Sequence, residues 1–483
     1  MVSVLAAPSL PLRDASVLSS ASASAQSADL AWAYTSQADV VLGGGWDYDE
    51  GAAPATPPYV PDPLPSRDDD GSSSSASSRS TSPSPTPTSP GESSAAGTAA
   101  KTLSSSGLLV RSTTQGWERS FDLNYDWPVP AIAAPDEVLI RNEVVGLNPV
   151  DFKSILYNFG IPDTPWVLGR DVMGTVQAVG SAVSGFSPGD RVWTCADSRD
   201  RRAGAYQTRS VSRAAHLCHL PACVSDDEGA TLGTGLVTAA VCAYWFLRLP
   251  APASRGGDVL VGSSRRGSQE LGGQWLLVYG GGAVTGQYIS QLAHLAGLSV
   301  LAVASPSNFE HLRTSAGVSA CVDRHLDASQ QLAQIRELTG GRLRYAVDCV
   351  GSSTATLCAQ ALQQSDVPDV EFIGLAGNPK PVGEAQKEIK IHKISFSTTI
   401  YGDDAFAARL FEDLAALLST RQLLPMRPVV VPHGLAGIRR GLEALRDGTA
   451  PRARKLVVRL GETPHQDTTN LGVRAELCWN GVA

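Results

Sequence analysis

The chain has 483 residues, with 39 Lys and Arg against 47 Asp and Glu and a net charge of −8. At roughly 100–200 residues per domain that length predicts two to four domains, and the acidic balance excludes nucleic acid or an anionic membrane surface as the main partner. No run approaches the about 18 apolar residues of a membrane span, and eight scattered cysteines in so long a chain predict a reduced, cytoplasmic protein rather than a disulfide framework.

The N-terminal stretch MVSVLAAPSLPLRDASVLSSASASAQ lacks a basic n-region and a clean apolar h-region, so it is expected to be a poor secretory signal. Its Ser and Ala content with one early Arg leaves an organelle transit peptide as the alternative to a cytoplasmic chain. Residues 1–106 are dominated by Ser, Pro, Ala and Gly and culminate in DDDGSSSSASSRSTSPSPTPTSPGESSAAG. Such a segment buries too little apolar surface to offset its ordering entropy, which predicts a disordered leader with Ser-Pro and Thr-Pro pairs as candidate phosphorylation sites.

From Gly107 the texture changes to short apolar runs broken by Gly, Pro and Asp. DEVLIRNEVVGLNP, VMGTVQAVGSAV and GDRVWTCA alternate as strands, which predicts a β-rich domain over 107–246. DDEGATLGTGLVTAAVCAYWFL, after Ser225 as cap, has helical texture. Residues 250–273 form a Gly/Ser/Arg-rich surface insertion. Then the pattern becomes βαβ: WLLVYG, LSVLAVAS, SACVD, RYAVDCVG, VEFIGLAG and ISFSTTIY read as strands with helix-length segments between them, a doubly wound α/β domain over 247–402. Two further helices and the strands RPVVV and KLVVRL, within 403–460, are expected to complete the β-rich domain, with 461–483 as a tail.

The sharpest motif runs from Tyr279 through Gly280, Gly281, Gly282, Ala283, Val284 and Thr285 to Gly286, after an apolar strand and at the start of a helix. Glycines let a backbone approach a pyrophosphate, and a helix N-terminus offers free N–H groups and a positive dipole end. The spacing is one residue longer than the usual fingerprint, but the strand–turn–helix context predicts a dinucleotide site over a merely structural turn. An NAD site places an acid at the end of the next strand. Here Ser305, Ser307 and Asn308 stand there and no acid precedes Glu310, which predicts NADPH. The usual cation beside a 2′-phosphate is missing, leaving Arg313 and Arg324 as distant candidates.

Taken together, GLNPVDFK, LGRDVMGTVQAVGSAVSGFSPGDRV, GATLGTGLVTAAV, LVYGGGAVTGQYISQLA, ASPSNF, LTGGRLRYAVDCV and KLVVRL resemble successive signatures of the medium-chain dehydrogenase/reductase superfamily over residues 108–460. The likeness is to its zinc-free members, the fungal group with trans-acting enoyl reductases, and the quinone oxidoreductase-like proteins. It implies a GroES-like β-rich catalytic domain beside a Rossmann domain. Zinc alcohol dehydrogenases of the superfamily carry Cys where this chain has Asn148, and Gly-His-Glu where it has Gly169, Arg170 and Asp171. Zinc prefers Cys and His ligands, so no metal is expected. The group His216, Cys218, His219 and Cys223 matches no common zinc spacing and is expected to be incidental.

A zinc-free site suits reduction of a conjugated C=C, in which charge spreads onto a carbonyl or thioester oxygen that hydrogen-bond donors hold before a proton reaches the α-carbon. The resemblance places the candidate residues. Lys153 stabilises the enolate or binds cofactor, or is an exposed strand-end lysine. Asn148 orients a carboxamide or carbonyl, or is an ordinary turn residue. Thr238 lies near the nicotinamide, or back-bonds within its helix. Tyr157 donates a proton, or packs. Cys349, Val350 and Gly351, with Leu375, Ala376 and Gly377, end strands at the cofactor edge, or are plain turns. Asp171 is expected to pair with Arg170 or nearby backbone, and Lys455 to reach the cofactor or the substrate mouth, or to be surface charge. The partner is a small molecule or a carrier-bound acyl chain, with a quinone as rival acceptor and a non-catalytic dinucleotide-binding scaffold as the other alternative; the chain is a monomer or homodimer.

Overall fold

The computed structural model describes residues 104–197, 199–251, 271–381 and 387–465, all of which fall in one compact unit. Residues 1–103 of the expected disordered leader and nearly all of the 250–273 insertion and the 461–483 tail lie outside the described residues; the last three residues assigned to the leader, Ser104, Ser105 and Ser106, instead open the first strand.

In chain order the elements are β1 (Ser104–Val110), β2 (Phe121–Pro128), β3 (Glu137–Gly146), α1 (Pro149–Leu156), β4 (Trp166–Val167), β5 (Asp171–Val179), β6 (Arg191–Cys195), β7 (Arg209–Arg213), β8 (Leu217–His219), α2 (Asp226–Gly229) and α3 (Gly233–Ala240). There follow β9 (Trp275–Tyr279), α4 (Val284–Leu295), β10 (Ser299–Ala304), α5 (Phe309–Ser315), β11 (Ala320–Asp323), α6 (Ala328–Thr339), β12 (Leu343–Asp348), α7 (Ser352–Gln363), β13 (Val370–Gly374), β14 (Ile389–His392), α8 (Asp404–Ser419), β15 (Pro428–Val430), α9 (Gly434–Arg446) and β16 (Lys455–Arg459).

The β-rich part is a seven-stranded sheet, β15-β16-β3-β5-β6-β8 with β7 also on β3, beside a three-stranded sheet β2-β1-β4. β3 organises it. One edge of β3 pairs antiparallel with β5 along most of its length; the other is shared, β7 taking Glu137–Arg141 and β16 taking Val144–Gly146. The N-cap of α2 is Ser225, as expected, with Glu228 completing a capping box.

The second sheet is parallel, in the order β11-β10-β9-β12-β13-β14. Counted within this sheet the order is 3-2-1-4-5-6, that of a dinucleotide-binding fold, whose ligand crevice lies at the carboxyl ends of the strands where the order reverses. Its central strands are buried on both faces. Leu276, Val278, Val300, Ala302 and Val347 face the core they share with α3, α4 and α8, while Leu277, Leu301, Val303, Ala346 and Phe372 face the opposite core.

One expected strand is displaced. The sixth strand is Ile389–His392, not Ile394–Tyr401. The latter is a chain of turns, closed by Thr399 N and Tyr401 N on Phe396 O. Ile394, Phe396 and Ile400 are buried there, so the alternation that imitates a strand comes from turns folding apolar side chains inward.

Candidate functional site

The glycine turn sits at the carboxyl end of β9. Gly280 takes a φ of 82°, which bends the chain out of the strand and toward α4. A Cβ on Gly286 would lie 2.4 Å from Gly280 O, so the first turn of α4 passes over the loop at a distance only glycine permits. The N-cap, Ala283, has no side-chain acceptor, which leaves the first N–H groups of α4, at Val284 and Thr285, without a side-chain cap. Residues around the turn hold it in place: Gln287 Nε2 donates to Gly282 O at 3.1 Å, and His311 Nε2 lies 2.9 Å from Gln287 Oε1. Burial holds His311 below the usual histidine range, and the positive charges of Arg427 and Arg454 lower it further. The cradle therefore fits a diphosphate.

The other cofactor candidates gather around this turn. Asn308 Nδ2 would stand 3.1 Å from a Cβ on Gly282. Ser305 is half-buried at the end of β10 and Ser307 exposed beside it. Arg324 joins the edge through its N–H to Ala304 O at 3.1 Å. Arg313 instead lies over the ring of Phe309 on its own helix, 5.7 Å from the centroid. On the other side, Val350 Cγ2 would be 2.9 Å from a Cβ on Gly280, and Cys349 N donates to Tyr279 O at 3.0 Å. Asp348 Oδ1 accepts from Val350 N and Gly351 N at 3.0 and 2.8 Å. That fixes a loop on which Val350 is 54% exposed, an apolar face beside the glycines. Leu375, Ala376 and Gly377 follow β13 half-buried, with Leu375 N on Asp348 O.

α3 carries the β-rich part to this crevice. Val284 Cγ1 fills the space beside Gly235, 2.6 Å from where a Cβ would stand. On the same helix Thr234 faces β5, and Thr238 is half-buried one turn on, its hydroxyl making no hydrogen bond to a described residue.

A buried polar cluster forms behind α3, and strand register assembles it. Gly146 pairs with Asp171 on one side and Val457 on the other, so Asp171, Asn148 and Lys455 converge at one end of the sheet. Lys455 is 3% exposed; its Nζ lies 2.6 Å from Asp171 Oδ2, a contact ion pair, and donates to Asn148 Oδ1 at 2.6 Å. Asp171 Oδ1 accepts from both the N–H and the hydroxyl of Thr234 at 2.6 Å. Of the alternatives for Lys455, burial excludes surface charge. Asp171 meets nearby backbone at Thr234 N, as expected, but its charged partner is Lys455 and not Arg170. The signal is a register that no local pattern reveals.

Asn148 is the N-cap of α1, its N–H on Asp151 Oδ2 at 2.8 Å. Its Nδ2 is buried without a partner among the described residues. Lys153 and Tyr157 lie at the far end of α1, half-buried on a helix rather than at a strand end. The structure thus brings Asn148 and Lys455 together at the start of α1, with Lys153 and Tyr157 one to two turns further along that helix.

Sequence reasoning passed over several residues at this floor. Tyr206 OH donates to Asp151 Oδ2 at 2.7 Å. Cys195 Sγ stands 3.7 Å from Thr234 Oγ1, and Tyr401 OH donates to Ala196 O at 3.0 Å. Burial pushes the Cys195 thiol up to about 12, so it is neither thiolate nor nucleophile at neutral pH.

Burial also raises the Asp151 carboxyl to about 6, against the opposing pull of the Tyr206 hydrogen bond and the Arg170 charge. The folded chain therefore holds this proton more tightly than the unfolded chain. The contribution to stability is complete below the unfolded value near 4 and is lost as pH rises through about 6, by up to about 3 kcal/mol. Both hydrogen bonds fall on Oδ2, so an asparagine oxygen can accept both. Asp151→Asn is expected to remove this component: in urea unfolding, the stability lost between pH 4.5 and pH 7.5 should be smaller in the variant than in the wild type.

The four residues of the His216–Cys223 group turn to separate partners. His216 Nε2 faces Asp404 at 3.0 Å, Cys218 Sγ lies on Phe411 O, His219 Nε2 on Gly185 O, and Cys223 Sγ on Leu418 O. Among the described residues no three His, Cys, Asp or Glu side chains gather as metal ligands. In the same residues no helix is long and apolar enough to cross a membrane.

Residues 134–245 match the alcohol dehydrogenase GroES-like domain. The chain is 30% identical over 358 residues to the trans-enoyl reductase buaC of Petromyces alliaceus, covering 69% of this chain and 92% of that protein. It is 31% identical over 349 residues to the enoyl reductase component lovC of the lovastatin nonaketide synthase of Aspergillus terreus, covering 67% and 89%. Among solved structures, a mycobacterial protein complexed with NADPH superposes with a TM-score of 0.57 at 22% identity, over 74% of this chain and all of that one (100%).

Proposed function

The chain belongs to the medium-chain dehydrogenase/reductase superfamily, in the branch of the fungal trans-enoyl reductases, and on that footing we propose that it is an NADPH-dependent, zinc-independent reductase of activated carbon–carbon double bonds. The observation that carries this reading is the pairing of a glycine cradle at the carboxyl end of β9 with a polar floor, joined by α3, in which Asn148 and Arg170 stand where zinc enzymes of the superfamily carry ligands.

Gly280, Gly281, Gly282, Ala283, Val284 and Thr285 hold the diphosphate, with Val350 and Gly351 along the dinucleotide and Thr238 beside its ring. NADPH over NADH is supported by the absence of an acid at the end of β10, where Ser305, Ser307 and Asn308 can donate to a phosphate, and by Arg427 and Arg454, whose charges reach His311 on the same side. Arg324 lies at that edge as well. Bound there, the reduced nicotinamide supplies a hydride. Lys455 fixes Asn148 from behind, so that the amide presents a set direction to a carbonyl group, and Tyr157 is the proton donor nearest the end of α1. Carrier-bound acyl thioesters are the substrate class, in keeping with a relative that is the enoyl reductase component of a nonaketide synthase.

Stopped-flow oxidation of NADPH by the full-length chain tests the assignment. Crotonyl-type thioesters should be turned over, benzoquinones at most slowly, and NADH should serve less well than NADPH. Rapid turnover of quinones with none of the thioesters makes the protein a quinone reductase. NADPH binding with neither acceptor consumed makes it a dinucleotide-binding scaffold.

A further inference from the structure

Arg170 lies between Gly169 and the start of β5 and is half-buried. Its carbonyl accepts from Ala196 N at 2.6 Å, which pins the residue against the end of β6. Next to it Asp171 pairs with Cys195 of β6, and from this end of the strand pair the guanidinium acts electrostatically on the carboxyl of Asp151, the thiol of Cys195 and the phenols of Tyr206 and Tyr401. Yet it makes no hydrogen bond or ion pair with any described residue. The acids around it are engaged elsewhere: Asp171 by Lys455 and Thr234, Asp151 by Tyr206 and Asn148 N, Asp197 by Arg199. Lys455, the other cation of the floor, is neutralised by Asp171. A planar fork of five N–H donors, partly withdrawn from water and lacking an acceptor on its own chain, is set to receive one from a ligand.

We propose that Arg170 is the electrophilic group of the site, donating hydrogen bonds to the carbonyl oxygen conjugated with the substrate's double bond. The assignment rests on the reductase reading above. Addition of a hydride to the β-carbon breaks the C=C π bond, and that electron pair moves through the α-carbon onto the carbonyl oxygen. A proton, given by Tyr157 on the reading above and restored to it from water, then bonds to the α-carbon and the carbonyl reforms. The two electrons and one hydrogen come from the reduced nicotinamide dinucleotide, and the product gains two hydrogens in all. The oxygen carries most charge between these events, so a fixed cation there favours the enolate over the starting thioester. Guanidinium suits the task because it stays protonated at any working pH and can span an oxygen with two parallel N–H groups. Arginine thus supplies, from a position where zinc enzymes of the superfamily carry a ligand, the charge that a Lewis acid supplies elsewhere.

The test uses the full-length chain without cofactor and a cinnamoyl thioester, whose absorption moves to the red when its carbonyl is polarised. Wild-type protein should shift the bound probe to the red. Arg170→Met should bind it with no shift and should lower kcat with crotonyl thioester by about 100-fold, as removal of an oxyanion donor does, with little change in KM and an unaltered melting temperature. Added guanidinium ion should restore part of the rate. A red shift and a kcat both retained in Arg170→Met overturn the assignment alone. An unshifted probe on the wild-type protein overturns it whatever the variants do, including any that fail to fold. Wild-type protein that reduces no enoyl thioester overturns the reductase reading, and the assignment with it.

Discussion

Alanine at Gly286 is expected to weaken NADPH binding by at least about 100-fold, or about 2.7 kcal/mol, while both sheets remain folded. The new methyl would sit 2.4 Å from Gly280 O and 3.3 Å from Gly281 Cα. These are backbone atoms, so no rotamer change relieves the clash. Either the turn opens or α4 recedes, and each movement withdraws the N–H groups of Val284 and Thr285 from the diphosphate they would share. Titration of NADPH fluorescence gives the affinity, and circular dichroism confirms the fold. An unchanged Kd would mean that the dinucleotide does not lie over this turn.

The second large effect concerns stability. Lys455→Met keeps the aliphatic stem but removes the ammonium, leaving the carboxylate of Asp171, 0% exposed, uncompensated, and Asn148 Oδ1 without its donor. Breaking a buried pair from one side costs about 3–5 kcal/mol, because the remaining charge stays desolvated. Urea unfolding should show that loss. The double variant Lys455→Met with Asp171→Asn should recover most of it, since an asparagine oxygen still accepts from both donors of Thr234 and no net charge is left inside. A single variant that loses less than about 1 kcal/mol would show that the pair does not hold the floor.

These two sites differ in how much of them can be read along the chain. The glycine turn is local: an apolar strand, three consecutive glycines and a helix announce themselves within one window, and the parallel sheet follows from repeated apolar runs of strand length. The sixth strand is missed because IKIH is only four residues long, with Lys390 and Ile391 exposed and only its ends half-buried. ISFSTTIY offers a stronger alternation that turns happen to satisfy. The polar floor is not local at all. Asn148 and Lys455 are 307 positions apart, and they meet because β16 pairs with the same edge of β3 that β7 occupies further along. Neighbouring Arg170 and Asp171 look like a natural pair in the sequence, but Asp171 is taken by Lys455, a partner that comes from the other end of the fold. Tyr206 and Tyr401 carry no local signal because they are placed by a loop and by the misread turns.

The shared edge of β3 also sets an order of events for a chain emerging from a ribosome. Everything that surrounds Asp171 except its counter-ion is synthesised early, whereas β16 arrives only after the whole nucleotide-binding sheet has been made. Until then the incomplete sheet must either keep that acid wet or hold it protonated. A chain that stops before Lys455 therefore cannot close this end of the sheet over an ionised Asp171.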